Sequence, residues 1–166
     1  MKLKNSTFYG LCGILMALSI ALDQLTKHLT VTHLKMYEDG GSILGLFRIT
    51  RRANPGAAWS ILEGKTWLFV LILVVFLALL GICIWKKWIH KRFELLCLAA
   101  IAGGGIGNGL DRIFRSDGMV VDMIQFSFWP EFPTFNVADC FITVGCIALV
   151  IYVLLFDRTE PKKHPE

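Results

Sequence analysis

The sequence is poor in charge and poor in the motifs that mark soluble enzymes. Asp, Glu, Lys and Arg make up 18% of its 166 residues, hydrophobic residues 55%, and the mean hydropathy is +0.59. Soluble domains carry about 25% charge, so water is excluded as the main solvent. No Gly-x-Ser-x-Gly, His-Glu-x-x-His or Gly-x-Gly-Asp occurs, which removes the hydrolase elbow, the zinc-protease helix and one type of intramembrane aspartyl site. The five cysteines, Cys12, Cys83, Cys97, Cys140 and Cys146, are odd in number and form no Cys-x-x-Cys pair. They give neither a disulfide framework nor a zinc ligand set, and no metal is implied. Internal repeats, low-complexity tracts and linkers are also missing, so residues 1–166 read as a single membrane domain.

What is present is apolar sequence in membrane-sized lengths. A helix needs about 20 predominantly apolar residues to cross a hydrocarbon layer of roughly 30 Å. Four segments approach this: about 8–29, 66–85, 93–110 and 138–156. The second, "TWLFVLILVVFLALLGICIW", has no charge and has Trp67 and Trp85 near its ends, where amphipathic rings favour the headgroup level. The third is interrupted by Glu94, Asn108 and five glycines, a composition suited to close packing between membrane helices. Lys2 and Lys4, the loop cluster Lys86, Lys87, Lys91 and Arg92, and Arg158, Lys162 and Lys163 share the cytoplasmic side only if the span count is even. Four spans with both termini cytoplasmic follow, although Lys35, Arg48, Arg51, Arg52 and Lys65 then lie in the first outer loop. The first span lacks a small-x-small cleavage site and is expected to remain uncleaved. The net charge of +4 suits an anionic leaflet, and no nucleic-acid partner is needed to explain it.

The first outer loop contains "GGSILGLFRITRRANPGAAWSIL", β-prone runs punctuated by Gly41, Pro55 and Gly56, and predicts a small β-element over about 36–62. Residues 111–137 form the second outer loop. Ionisable groups at a membrane edge need a partner or a task. Asp23, Lys27, Asp111, Arg112, Asp122 and Asp139 gather at the outer end of the predicted bundle, and Glu94 sits among basic residues at the other. Asp23 and Lys27, four residues apart on one helix face, suit an interfacial salt bridge. Arg112 either braces a carboxylate or anchors at the headgroups.

Asp122 and Asp139 flank an aromatic loop broken by Pro130 and Pro133, short enough to bring them together. Two adjacent carboxylates cannot both ionise easily, so one keeps a proton. Such a pair can activate water and protonate a leaving amine. The alternatives are helix capping by Asp139 and a solvated Asp122. Asn54 suits a turn beside Pro55, Asn108 an interhelical hydrogen bond and Asn136 an N-cap. Two competing readings are a thiol hydrolase built on Cys140, with His28 and His33 on the same side, and a non-enzymatic membrane protein whose carboxylates relay protons or hold helices.

Taken in order, "LDQLTK" (22–27), "NPGAAWS" (54–60), "GGIGNGLDR" (104–112), "VVD" (120–122) and "FNVAD" (135–139) resemble lipoprotein signal peptidase, the bacterial signal peptidase II family. The resemblance implies an all-α membrane protein, four transmembrane helices with a small extracytoplasmic β-cradle. It also implies an aspartic endopeptidase of the bacterial cytoplasmic membrane, with its active site near the outer face and no cofactor. Its substrate would be a diacylglycerylated prolipoprotein, cut before the lipid-modified cysteine, with membrane lipids as surroundings and globomycin-type inhibitors as ligands. The motif match places the catalytic pair on Asp122 and Asp139. It places polar support for substrate or pair on Asn54, Gly56, Asn108, Arg112 and Asn136, and structural support on Asp23 and Lys27. After the two aspartates the chain has Met123 and Cys140, where the family often has Phe and commonly Ser.

Overall fold

A computed structural model describes residues 5–56 and 61–156 of the chain. Lys2, Lys4, Arg158, Lys162 and Lys163, and residues 57–60 of "NPGAAWS", lie outside the described residues. Four long helices, α1 (Asn5–His33), α2 (Thr66–Trp85), α3 (Arg92–Phe114) and α4 (Val137–Phe156), are each long and apolar enough to cross a membrane. Three strands, β1 (Asp39–Ile43), β2 (Phe47–Asn54) and β3 (Val120–Phe126), form one antiparallel sheet in the order β1-β2-β3.

The run "ILGLFRIT" is not one strand. Leu44 and Gly45 take left-handed φ of 53° and 70° and turn the chain between β1 and β2. The third strand comes from the stretch read as an outer loop. It escapes a period-2 reading because Val120, Val121, Asp122 and Met123 are all buried, so the usual in-out alternation is absent. The outer edge of β3 is closed by a carboxylate and a loop. Val121 N–H donates to Asp111 Oδ2 at 3.0 Å, and Ile124 exchanges hydrogen bonds with Phe135 at 2.8 and 2.9 Å. An unpaired sheet edge in an apolar setting is thereby avoided.

At about 1.5 Å per residue, α1 is about 43 Å long and overshoots the hydrocarbon layer. Its last turn meets the sheet, where Arg51 Nη1 donates to the carbonyls of Val31 (3.2 Å) and Leu34 (2.8 Å). A cation there satisfies carbonyls that a helix end leaves unpaired and complements the negative end of its dipole.

Helix α3 is the most buried of the four and holds the bundle together. Its small residues let different neighbours approach on different faces. A Cβ at Gly103 would collide with Ser19 Oγ of α1, and one at Gly104 with the carbonyl of Ala138 at the start of α4. By contrast α2 has no buried residue, and α4 buries only Ala138 and Gly145, leaving apolar surface suited to acyl chains. The arrangement yields a stability contrast. Gly104→Ala should lower the melting temperature of the solubilised protein, because overpacking costs about 1–3 kcal/mol. Gly81→Ala, where a Cβ meets nothing within 4 Å, should leave it unchanged or slightly higher.

Candidate functional site

The site forms where the sheet meets one end of the bundle, and its frame is the first turn of α4. Asn136 is the N-cap. Its Oδ1 accepts from Asp139 N–H at 3.0 Å, while Asp139 Oδ2 accepts from Asn136 N–H at 3.1 Å. This is a reciprocal capping box made with Asn and Asp. The next free donor, Ala138 N–H, is taken by Asp23 Oδ1 of α1 at 2.9 Å. Three orphan amides of one helix end therefore find carboxylate or amide oxygens, and Asp139 sits at the positive end of the helix dipole.

Asn136 also joins Asp139 to Asp122. Its Nδ2 donates to Asp122 Oδ1 at 2.7 Å, and it is fully buried. Asp122 Oδ2 accepts from Asn54 Nδ2 at 2.9 Å, and Asp139 Oδ1 accepts from Asn108 Nδ2 at 2.8 Å. Each of the four carboxylate oxygens thus receives one N–H from an asparagine. Asn54 lies at the end of β2, where its Oδ1 holds Gly56 N–H at 3.0 Å and fixes the turn into the following loop. Gly56 has no room for a side chain, since a Cβ would stand 2.6 Å from the Ile61 carbonyl. The Gly56 carbonyl accepts from Arg112 Nη2 at 2.6 Å, and the Arg112 guanidinium lies 4.2 Å from the Phe69 ring centroid. Arg112 spans three elements and, among the described residues, hydrogen-bonds no carboxylate directly.

Behind this pair lies a buried charge cluster. Lys27 Nζ contacts Asp23 Oδ2 at 2.8 Å, Asp111 Oδ2 at 3.1 Å and Asn108 Oδ1 at 2.9 Å. Asp23 and Lys27 make the ion pair that their spacing allows, but the second carboxylate, Asp111, is absent from the site residues read off the motifs. Gln24 is a further omission: its Nε2 donates to the Gly107 carbonyl at 3.0 Å and to Asp23 Oδ2 at 3.2 Å. Both carried a signal, since a charge at the end of a glycine-rich span and an amide inside an apolar one each need a partner. His28 and His33 are exposed on α1, where His33 Nδ1 contacts the Leu29 carbonyl at 2.9 Å.

Asp139, Asn54, Asn108 and Arg112 line a cavity of about 650 Å³ whose other walls are largely apolar, among them Phe69 and Phe132. That is a ligand-sized space. Asp122 is 1% exposed beside it. Burial, and then the neighbouring Asp139 charge, push the Asp122 carboxyl up to about 7, against the opposing pull of its Asn54 and Asn136 hydrogen bonds and of Lys27. The site holds one carboxyl poised to keep its proton near neutrality and another at a helix N-terminus facing a cavity. This arrangement can carry acid–base chemistry on a bound polar group.

Comparison with known proteins agrees with the resemblance seen in the motifs. A family model described as "Signal peptidase (SPase) II" matches residues 15–155. The chain is 42% identical over 141 residues to a "Lipoprotein signal peptidase" of Listeria monocytogenes serotype 4a (strain HCC23), covering 84% of this chain and 90% of that one. It is 41% identical over 150 residues to a "Lipoprotein signal peptidase" of Lactiplantibacillus plantarum, covering 89% and 96%. A solved structure described as a bacterial membrane enzyme superposes with a TM-score of 0.83 at 30% identity, covering 95% of each chain.

The raised Asp122 carboxyl has a measurable sign. In the unfolded chain it ionises near 3.8, whereas the folded protein holds the proton to about 7. Between those values the unfolded state has released a proton that the folded state keeps, so this group's contribution to stability falls as pH rises from about 4 to about 7. Melting temperature followed against pH should therefore decline less steeply across that window in Asp122→Asn than in wild type.

Proposed function

We propose that this chain, which belongs to the signal peptidase II family, is a membrane aspartic endopeptidase that removes the signal peptide from diacylglycerylated prolipoproteins. Cleavage falls on the N-terminal side of the lipid-modified cysteine. The observation that carries the reading is the double engagement of Asn136, which holds Asp122 and Asp139 through one side chain and one backbone amide beside a ligand-sized cavity. Two carboxyls so tied share one proton between them near neutral pH.

In the proposed cycle the ionised aspartate removes a proton from a water, which attacks the scissile carbonyl. The protonated aspartate polarises that carbonyl and then supplies a proton to the departing amine. No cofactor enters these steps. Asn54, Asn108 and Asn136 hold the two carboxyls, and Arg112 pins the Gly56 loop against the cavity. The bilayer orients the substrate, with its acyl chains against the apolar faces of α2 and α4, and a globomycin-type inhibitor would occupy the same cavity.

The distribution of Lys and Arg supports an orientation with both termini on the cytoplasmic side of a bacterial inner membrane and the sheet outside. Lys86, Lys87, Lys91 and Arg92, between α2 and α3, then face the cytoplasm. In this orientation the site would lie near the outer face, the side on which a translocated lipoprotein precursor emerges.

Cys140 also lines the cavity and is the competing nucleophile. A single assay separates the two. Purified protein in detergent should cut a diacylglycerylated prolipoprotein, Asp122→Asn and Asp139→Asn should fold but lose about 10²–10⁴ of the rate, and Cys140→Ala should stay within several-fold of wild type. Loss of cleavage in Cys140→Ala with retention in Asp122→Asn would transfer the chemistry to the thiol.

A further inference from the structure

Lys27 is 2% exposed and has three N–H donors, each with a defined partner. Two go to Asp23 and Asp111 and the third to Asn108 Oδ1 at 2.9 Å. Both carboxylates also hold other elements of the fold. Asp23 is tied through Oδ1 to Ala138 N–H at 2.9 Å, and Asp111 Oδ2 also holds Val121 N–H at 3.0 Å. A buried lysine needing only charge compensation would be served by Asp23 alone, yet this one is also drawn onto α3 beside the aspartate pair.

The contact with Asn108 decides which way that amide points. An ammonium donates and never accepts, so the amide atom facing it must be oxygen. The same oxygen accepts from Asn136 Nδ2 at 3.0 Å, a second donor enforcing the same choice. Asn108 Nδ2 is then left to donate to Asp139 Oδ1 at 2.8 Å. Were the amide free to turn over, its oxygen would face the Asp139 carboxylate and favour the protonated acid instead.

We propose that Lys27 is a positioning residue which, by locking the Asn108 amide, keeps Asp139 the ionised member of the pair and leaves the shared proton on Asp122. The charged groups around it are Asp23 on its own helix, Asp111 and Arg112 on α3, Asp122 on β3 and Asp139 on α4. Asp139 also has the N-terminal dipole of α4 and the cavity in front of it, while Asp122 is enclosed. Burial pushing the Asp122 carboxyl up to about 7 is in the same direction. The general base is thereby assigned to Asp139 and the general acid to Asp122. This rests on the proteolytic reading above.

The test is the pH dependence of kcat/KM for prolipoprotein cleavage by full-length protein in detergent, comparing wild type with Lys27→Met and the double variant Lys27→Met/Asp23→Asn. The double variant removes the cation together with one buried anion, so the net charge of the Lys27, Asp23 and Asp111 cluster is unchanged and Asp111 keeps its bond from Val121 N–H. The position of a pH limb is independent of the fraction of protein that is active. If Lys27 holds the base ionised, the acidic limb moves to higher pH by one unit or more in both variants, and kcat at neutral pH falls about tenfold or more with KM little changed. Lys27→Arg, which keeps a cation and its donors, leaves the limb at its wild-type position. An acidic limb that stays in place in the double variant overturns the inference, as does a folded double variant inactive at every pH. Wild type that fails to cleave, or Asp→Asn variants that still do, would instead overturn the proteolytic reading on which it stands.

Discussion

The structure depends on one constraint: a lysine ammonium and several carboxylates are shut away from water, and each must be satisfied by another element of the fold. Lys27 draws Asp23 and Asp111 together, and those two carboxylates reach on to the backbone of α4 and of β3. Four elements are thus tied through a handful of oxygen atoms. Removing one partner from a buried pair costs about 3–5 kcal/mol, so a hub of this kind is rigid for the same reason that it is costly to assemble. Rigidity there is inherited by the amides of Asn108 and Asn136, and through them by the two aspartates.

The first turn of α4 shows how a helix end becomes a site. Its free amides need acceptors in a region with little water, and the acceptors supplied are Asp23, Asn136 and Asp139 itself. Capping and acid–base chemistry, which look like rival roles for Asp139 when the residues are read singly, are compatible. The capping box holds one carboxylate oxygen by the backbone, and the helix dipole favours its charge, while the other oxygen takes the side chain of Asn108. Asp122 lies on a strand buried on both faces, with no helix dipole to support its charge. Two chemically identical side chains thus stand in different surroundings, one at a helix N-terminus facing the cavity and one enclosed on a strand.

Close packing along α3 makes the arrangement possible. A Cβ at Gly107 would stand 2.6 Å from Asp23 Oδ2, so the absence of a side chain there is what lets the carboxylate sit between α1 and α3. The glycines that weaken the third segment as a hydropathy signal are the ones that bring the charged residues within reach of one another. Low apolarity and high burial in α3 are two consequences of the same packing.

Four spans, their approximate limits and the gathering of charged residues at one end of the bundle were legible in the sequence, because hydrocarbon thickness and the cost of burying charge act on composition directly. So was the family, since five motifs stood in order along the chain. Other features required the tertiary structure. β3 was hidden because a strand covered on both faces loses its alternation, and the split of "ILGLFRIT" turned on two residues adopting left-handed φ. The partnership of Lys27 with Asp111 and Asn108 joins residues more than eighty positions apart, and the bridge of Asn136 to Asp122 crosses from helix cap to strand. Local physics chose the residues and the elements. Which oxygen meets which N–H was decided by long-range packing, because hydrogen bonds specify geometry only once the backbones that carry them have been brought together.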